Sequence, residues 1–334
     1  MNPVLVDIMR GDFLESQHRG AVYVCDDKGS ELLSIGNVDA MLFPRSAIKI
    51  MQALPLVESG GAAKFGLNNQ QLALTCSSHG GEAAHTETAT SILQRISLRQ
   101  AHLECGAHMP MHKPSEYQLV QAQQAPCALH NNCSGKHAGM LAFAVHKGIT
   151  TKGYIDIAHP VQQAVAAVIS DLTEYDITSA PCALDGCSVP TWAAPLKSWA
   201  QAFAKISRGN GLGQTRRDSL QQLQQAVMAE PYYVAGTDRY CTNAMAKLNT
   251  PIFIKTGAEG VFCATLPERG IGITLKCEDG STRGAEMMLS ATLKTLGLLK
   301  SSDQQWLDTM LNISSKNANQ FEVASILPAK YWQF

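Results

Sequence analysis

Apolar residues are spaced as in β-strands near both ends of the chain and as in helices between them. Near the start, short apolar runs predict strands at residues 4–8, 21–25 and 32–35. Between the last two, Asp26-Asp27-Lys28-Gly29-Ser30 is typical of a hairpin turn. A later antiparallel meander is predicted at residues 251–255, 260–266 and 271–276.

The middle of the chain has the periodicity of helices. Ala89, Ile92, Leu93 and Ile96 follow the i, i+3, i+4, i+7 spacing of one helix face. Further helices are predicted at residues 140–145, 158–172, 219–228, 286–298 and 303–311.

Strands at both ends with helices between them predict an α+β fold. We expect an antiparallel sheet built from both chain ends, flanked by a mostly helical middle region. The whole chain, residues 1–334, is predicted to form a single domain. Within it we expect the sheet region at about 1–40 and 250–334 and the helical region at about 41–249.

Composition narrows the class of protein. With 334 residues, of which 45% are hydrophobic and 16% charged, the chain can bury a large core. The net charge of −1 gives no basic surface for nucleic acid, and no apolar stretch reaches the ~18 residues of a membrane span. Ten cysteines without a secretion signal favour free thiols in a reducing compartment, so we expect a cytoplasmic, soluble protein.

The most informative motif places Ser46 three residues before Lys49. Positions i and i+3 share a helix face, so the lysine amine can reach the serine hydroxyl. A neutral amine can take the hydroxyl proton and turn serine into a nucleophile. An ordinary helix start, with a serine cap and a solvated lysine, would give the same residues.

A second motif contains Ser77 and Ser78 followed by His79 and two glycines. Adjacent glycines let the backbone approach a ligand closely. The alternative is a plain turn in which one serine caps the next helix. His79 is interpreted either as a general base or as a solvated loop histidine.

A third motif holds Cys133, Lys136 and His137. It is not a phosphate-binding loop, because the glycine spacing and the preceding apolar strand of such a loop are absent. The spacing of Cys133 and His137 is not that of a zinc finger. A buried thiol at a helix start explains the cysteine equally well.

A fourth motif is Lys255-Thr256-Gly257, near the end of a predicted strand. Its lysine can point into a site beside the sheet. Alternatively, it places a charge on an edge strand and so prevents aggregation.

These motifs follow the order found in penicillin-recognising serine acyl enzymes: Ser-x-x-Lys, a serine loop, then Lys-Thr-Gly on a late strand. Such enzymes have a helical region beside an antiparallel sheet from both chain ends, so the predicted fold is serine β-lactamase/transpeptidase-like. Ser78-His79-Gly80 lacks the asparagine of their middle motif. A plain β-lactamase or transpeptidase is therefore disfavoured.

Five longer motifs narrow the resemblance. They are Pro44-Arg45-Ser46, Cys76-Ser77-Ser78-His79-Gly80-Gly81-Glu82, Cys133-Ser134-Gly135-Lys136-His137-Ala138-Gly139-Met140, Asp185-Gly186-Cys187-Ser188-Val189-Pro190 and Lys255-Thr256-Gly257-Ala258-Glu259-Gly260. Together, over about residues 4–297, they resemble the Rhizobium etli type, or class 3, L-asparaginases.

The resemblance implies hydrolysis of the small molecule L-asparagine to L-aspartate and ammonia, in an enzyme that is usually a homodimer. It implies two serine–lysine pairs, Ser46 with Lys49 and Ser78 with Lys255. We expect Ser46 to attack the side-chain amide carbon while neutral Lys49 takes its proton. Crowding of the two lysines and their removal from water both favour neutral amines. Ser78 with Lys255 would then relay a proton to the leaving ammonia.

The resemblance also implies one Zn²⁺ per chain, held by Cys133, Lys136 and Cys187. Lysine binds a metal only as the neutral amine, and three protein ligands leave a fourth position for water. A serine–lysine mechanism needs no metal-activated water, so we expect the ion to assist substrate binding. Cys241 matches a further cysteine near the site.

Other residues are candidate substrate contacts. Arg45 suits the α-carboxylate of a free amino acid, or it braces a loop. Asp185 holds the α-ammonium group or closes its own turn. Backbone amides near Ser46 and Gly257 are candidates for the oxyanion hole.

Three rival interpretations remain. A β-lactamase or DD-peptidase-like acyl enzyme would be trapped by a labelled β-lactam. A non-catalytic amino-acid sensor would release no ammonia. A metal-storage or redox module is disfavoured because the ten cysteines are scattered without CxxC pairs.

Overall fold

The computed structural model describes residues 1–332. Its strands are β1 (Val4–Arg10), β2 (Phe13–Asp26), β3 (Glu31–Ile35), β4 (Met41–Leu42), β5 (Cys182–Leu184), β6 (Pro190–Trp192), β7 (Ala194–Pro195), β8 (Phe253–Gly257), β9 (Val261–Leu266), β10 (Ile271–Cys277), β11 (Ile313–Lys316) and β12 (Glu322–Pro328).

The α-helices are α1 (Lys49–Glu58), α2 (Gly61–Lys64), α3 (Asn69–Thr75), α4 (Ala83–Arg95), α5 (Lys113–Gln121), α6 (Ser134–Lys147), α7 (Pro160–Thr173), α8 (Leu196–Arg208), α9 (Gln214–Ala229), α10 (Pro231–Ala235), α11 (Tyr240–Lys247), α12 (Thr282–Thr295) and α13 (Gln304–Met310). Short 3₁₀ helices lie at Arg45–Ile48, Gln100–His102, Ala128–His130 and Ser301–Asp303. Within the described residues, every helix is too short or too polar to cross a bilayer.

The chain divides into two compact units. The sheet unit comprises Met1–Ala47, Ala194–Ser207 and the chain from Lys247 onward, and the helical unit comprises Ile48–Ala193 and Arg208–Ala246. Within the predicted helical region, about 41–249, residues 41–47, 194–207 and 247–249 belong to the sheet unit. The prediction of a single domain stays a prediction.

The sheet has eight strands in the order β11-β12-β1-β2-β10-β9-β8, with β3 also paired to β2. Every pairing in it is antiparallel. The N-terminal β2 pairs with β10 along seven residues, from Gly20 opposite Cys277 to Asp26 opposite Ile271. The predicted α+β class, with a sheet built from both chain ends, is confirmed.

Helix α8 explains why residues 194–207 belong to the sheet unit. Its apolar side chains include Leu196, Trp199, Phe203 and Ile206, all fully or almost fully buried. A Cβ atom on Gly272 of β10 would lie 2.1 Å from the backbone nitrogen of Ala204. The absent side chain therefore lets this helix pack directly on the sheet.

Substituting Gly272→Ala is expected to lower the free energy of unfolding by about 2–3 kcal/mol, the upper range for overpacking a core. The clash is with helix backbone, which cannot turn aside as a flexible side chain does. Urea denaturation measures the effect. Gly213→Ala is the matched control, because its Cβ meets nothing within 4 Å. Equal stability of the two variants would contradict the proposed close packing.

In the helical unit, α1 is buried along nearly its whole length, from Lys49 to Val57. It packs against α6, α7 and α9 within the unit. Because a helix covered on several sides buries every residue type it carries, Lys49 is enclosed with the apolar side chains.

Candidate active site

The Ser-x-x-Lys motif spans a change of helix type. Ser46 lies in the 3₁₀ helix Arg45–Ile48, and Lys49 is the first residue of α1. Lys49 is 0% exposed, so the interpretation of a solvated lysine is wrong.

The amine of Lys49 is enclosed by acceptors of the helical unit. Its Nζ lies 3.0 Å from Ser78 Oγ and 3.0 Å from Cys133 Sγ. It also donates to the backbone oxygen of Ser77. This contact brings together a lysine amine and a serine hydroxyl, the pair that serine activation requires.

The loop carrying Ser78 is fixed by its neighbours. The Ser78 N–H donates to the backbone oxygen of Val234, at 2.9 Å. His79 Nε2 lies 2.9 Å from Ser134 Oγ, and its Nδ1 accepts from the Gly81 N–H. Burial holds the pKa of His79 well below its usual value. His79 is thus a buried, neutral brace, and its interpretation as a solvated histidine is wrong.

Glu82 ties the same loop to the segment after α10. Its carboxylate accepts from the Thr237 N–H at 3.0 Å, from Thr237 Oγ1 at 2.6 Å and from the Tyr232 hydroxyl at 3.2 Å. Burial raises the pKa of Glu82, but the hydrogen bonds from Thr237 outweigh this effect, so the pKa lies below its usual value. No role is predicted for this residue from the sequence alone. Its position at the N-cap of α4, directly after two glycines, was the available signal.

The three predicted metal ligands all lie in the helical unit and are buried: Cys133, Lys136 and Cys187. Lys136 Nζ is 2.9 Å from Cys187 Sγ. A hydrogen bond from the Cys187 thiol, together with the amines of Lys49 and Lys136, holds the pKa of Cys133 well below its usual value. Burial lowers the pKa of Lys136, but the two sulfurs outweigh it and raise that pKa in net.

This donor set suits a zinc ion by its chemistry. Two sulfur ligands and one amine are soft to borderline donors, which zinc accepts in tetrahedral sites. Because Cys133 already favours the thiolate, one of the anionic ligands is present without a metal. His137, the other candidate of that motif, instead lies 2.7 Å from the Tyr154 hydroxyl.

Two glycines explain how the start of α6 is positioned to contribute Cys133 and Lys136 to this cluster. A Cβ on Gly135 would lie 2.3 Å from the backbone oxygen of Leu74, and one on Gly139 would lie 2.9 Å from Thr75. The start of α6 therefore packs on the end of α3, directly before Ser77 and Ser78. This close approach places Cys133 beside Lys49.

In the sheet unit, Lys255 on β8 is 1% exposed. Its Nζ donates to the Thr256 carbonyl at 2.8 Å. β8 is an edge strand of the sheet, but a buried amine does not protect an exposed edge, so that alternative is wrong. A Cβ on Gly257 would lie 2.4 Å from the Pro44 carbonyl oxygen. Strand β8 thus ends against the segment that carries Ser46.

Asp185, Arg45 and Cys241 are the remaining predicted contacts. Asp185 Oδ1 accepts from the Gly186 N–H at 2.8 Å, and the Ser188 N–H donates to the Asp185 carbonyl at 2.8 Å. The carboxylate therefore helps to close its own turn. Arg45 adopts a left-handed backbone with φ of 52°. Cys241 is buried at the start of α11.

The structure adds one pairing that the sequence did not predict. The prediction paired Lys49 with Ser46 and Ser78 with Lys255, whereas the helical unit places Lys49 against Ser78. The predicted pairs stay predictions.

Comparisons with known proteins place these motifs in context. Among solved structures, a β-lactamase from Sphaerobacter thermophilus is similar at 13% identity and a TM-score of 0.43, over 84% of this chain and 92% of that one. A Mycobacterium bovis β-lactamase has 11% identity and a TM-score of 0.40, over 87% and 94%. A Bacillus subtilis glutaminase has 11% and 0.39, over 84% and 87%. The search of curated proteins gave no match.

The sequence match is more decisive than these structural similarities. Residues 6–328 match the family described as L-asparaginase II, so the match covers nearly the whole chain. All of the predicted site residues lie inside the matched range. The chain therefore belongs to the L-asparaginase II family and is an amidohydrolase.

Proposed function

We propose that this amidohydrolase is an asparaginase of the Rhizobium etli type, which hydrolyses L-asparagine through an ester on serine. The observation that carries the mechanism is the buried amine of Lys49, 3.0 Å from the Ser78 hydroxyl. Ser46, the proposed nucleophile, lies three residues before this lysine in the chain. An amine in that position can accept the hydroxyl proton during attack. The five motifs quoted above support the narrower family type.

In the first half of the reaction, the Ser46 oxygen bonds to the side-chain carbonyl carbon of asparagine, and Lys49 takes the hydroxyl proton. The bond from that carbon to nitrogen then breaks, and ammonia leaves with a proton relayed by Ser78 and Lys255. In the second half, water cleaves the ester, which releases aspartate and restores the serine. Backbone N–H groups near Ser46 and Gly257 would stabilise the oxyanion, at about 3 kcal/mol per donor.

A zinc ion held by Cys133, Lys136 and Cys187 is part of the proposal. When bound, it would supply a Lewis-acid centre that polarises or orients a substrate oxygen. The residues themselves support this role, because they gather two sulfurs and an amine in one buried cluster. We also propose that the protein is a cytoplasmic homodimer.

Steady-state ammonia release from asparagine and from glutamine tests the proposed reaction. Asparagine is expected to be the better substrate. The extra methylene of glutamine limits this preference to about 10- to 200-fold in kcat/KM. No ammonia from either amide, under conditions where the protein is folded, would refute the proposal.

Removing metal with a chelator should raise the KM for asparagine more than it lowers kcat, because the ion is proposed to assist binding and not to activate the nucleophile. Adding back zinc should restore the original KM. A Cys187→Ala variant should be insensitive to chelator. Full affinity and turnover in the chelated wild-type enzyme would leave the metal no role in the reaction.

A further inference from the structure

A cavity of about 300 Å³ lies in the helical unit beside the loop that carries Ser78. Its lining combines three segments: Gly80 with Glu82, residues 111–114, and Ala235 with Thr237, Asp238 and Arg239. This volume matches the lower range of small-molecule sites in proteins.

Two of these segments are joined by hydrogen bonds. Glu82 spans them through its hydrogen bonds to Thr237. A Cβ on Gly236 would lie 2.6 Å from the Glu82 carboxylate and 3.2 Å from the Gly80 nitrogen. Because Thr237 and Tyr232 already occupy the Glu82 carboxylate, it is not available as the main partner of a ligand.

Two oppositely charged side chains in the cavity lining have no partner in the described part of the chain. Among the described residues, Asp238 and Arg239 make no side-chain hydrogen bond or ion pair, with each other or with neighbours. The other side chains are engaged: Lys113 pairs with Glu116 at 2.6 Å, and His112 Nδ1 lies 2.9 Å from Ser115 Oγ. The cavity therefore offers one guanidinium and one carboxylate to a ligand.

We infer that this cavity holds the head group of the amino-acid substrate, with Arg239 binding the α-carboxylate and Asp238 the α-ammonium group. A zwitterion matches the pair of unused charges, and a guanidinium binds a carboxylate through two parallel hydrogen bonds. The inference rests on the proposed asparagine hydrolysis and names how that substrate is recognised. It assigns to Arg239 the contact that the sequence analysis considered for Arg45.

The position of the cavity fits this assignment. Gly80 in its wall follows Ser78 by two residues, so their Cα atoms are at most ~7 Å apart. A head group bound by Asp238 and Arg239 would therefore lie near the loop that carries Ser78. Asp238 and Arg239 also directly precede α11, which carries Cys241.

Inhibition by the product L-aspartate and by its analogue β-alanine provides the test. L-aspartate has the α-carboxylate, and β-alanine is the same molecule without it. In the wild type, aspartate should be the tighter inhibitor. Arg239→Gln should weaken aspartate about 10- to 100-fold, the value of a hydrogen bond between charged groups, and leave β-alanine within about 3-fold. In Arg239→Gln, the KM for asparagine should rise by about the same factor as the inhibition constant of aspartate. The kcat should fall by a smaller factor.

Matched variants make the outcome specific. Arg239→Lys should recover part of the aspartate affinity, because it keeps the charge but loses the two-pronged geometry. Lys152→Gln removes an exposed cation of the helical unit that does not line the cavity, and should change the KM less than about 3-fold. Asp238→Asn should weaken both inhibitors, since both carry the amine.

Three results would overturn the inference. The first is an Arg239→Gln enzyme with wild-type discrimination between aspartate and β-alanine. The second is loss of that discrimination in Arg45→Gln but not in Arg239→Gln. The third is a rise in the KM for asparagine in Lys152→Gln as large as the rise in Arg239→Gln. Absence of ammonia release from asparagine by the wild type would instead refute the proposed function, so the two failures are distinguishable.

Discussion

Replacing Lys49 with methionine should lower kcat for asparagine at least about a thousand-fold, within the range for loss of a general base. Methionine approximates the length of the side chain and suits its completely buried position, but it cannot accept a proton. The contacts with Ser78 and Cys133 would be lost together. Ammonia release under saturating asparagine measures the effect.

The matched control is Lys147→Met, at the exposed end of α6, which should keep wild-type turnover. Circular dichroism should give the same helix content for both variants. A Lys49→Met enzyme within ten-fold of the wild type would remove the lysine from the proposed mechanism.

Substituting Ser46→Ala should reduce turnover by about 10⁴-fold or more, as expected when an enzyme loses its nucleophile. The mass of a covalent aspartyl group, visible by rapid quench and mass spectrometry in the wild type, should disappear. Ser78→Ala should slow the reaction by about 10²- to 10³-fold, because it removes a proton relay and not the attacking oxygen. The covalent group should still form in that variant.

A neighbouring serine provides the control for this second experiment. Ser77 Oγ is buried and has no hydrogen-bond partner among the described residues, so Ser77→Ala should stay within about 3-fold of the wild type. The opposite result is loss of the covalent group in Ser78→Ala and its persistence in Ser46→Ala. It would make Ser78 the nucleophile and Ser46 the proton relay. The contact of Lys49 with Ser78 makes that outcome a defined alternative.

Local patterns were enough for much of the sheet. Periodicity and turn residues located the meander β8–β10 to within two residues at each end. The hairpin β11–β12 was missed because the residues of β11 are Ile-Ser-Ser-Lys and mostly exposed, without an apolar alternation. Helix α8 was missed although Leu196, Trp199 and Phe203 carry a helical spacing that could have identified it.

The main error in interpreting single residues was to leave open that they are exposed when they are buried. From the sequence alone, Lys49 and His79 could each be interpreted as a solvent-exposed side chain, since lysines and loop histidines are usually exposed. Both are 0% exposed in the structure, because α1 is covered along its length and the Ser78 loop is covered by α6. No local pattern reports how many neighbours will cover a side chain.

The amino-acid sequence by itself determined the L-asparaginase II family and the amidohydrolase reaction class, because the order and spacing of motifs are properties of the chain alone. Only the tertiary structure decided which lysine lies against which serine, and that two unpaired charges face a cavity beside Ser78. Such contacts join segments far apart in sequence, Lys49 with Ser78 and Cys133 and Glu82 with Thr237. Their distances depend on how helices and loops pack, which no spacing within one segment can encode.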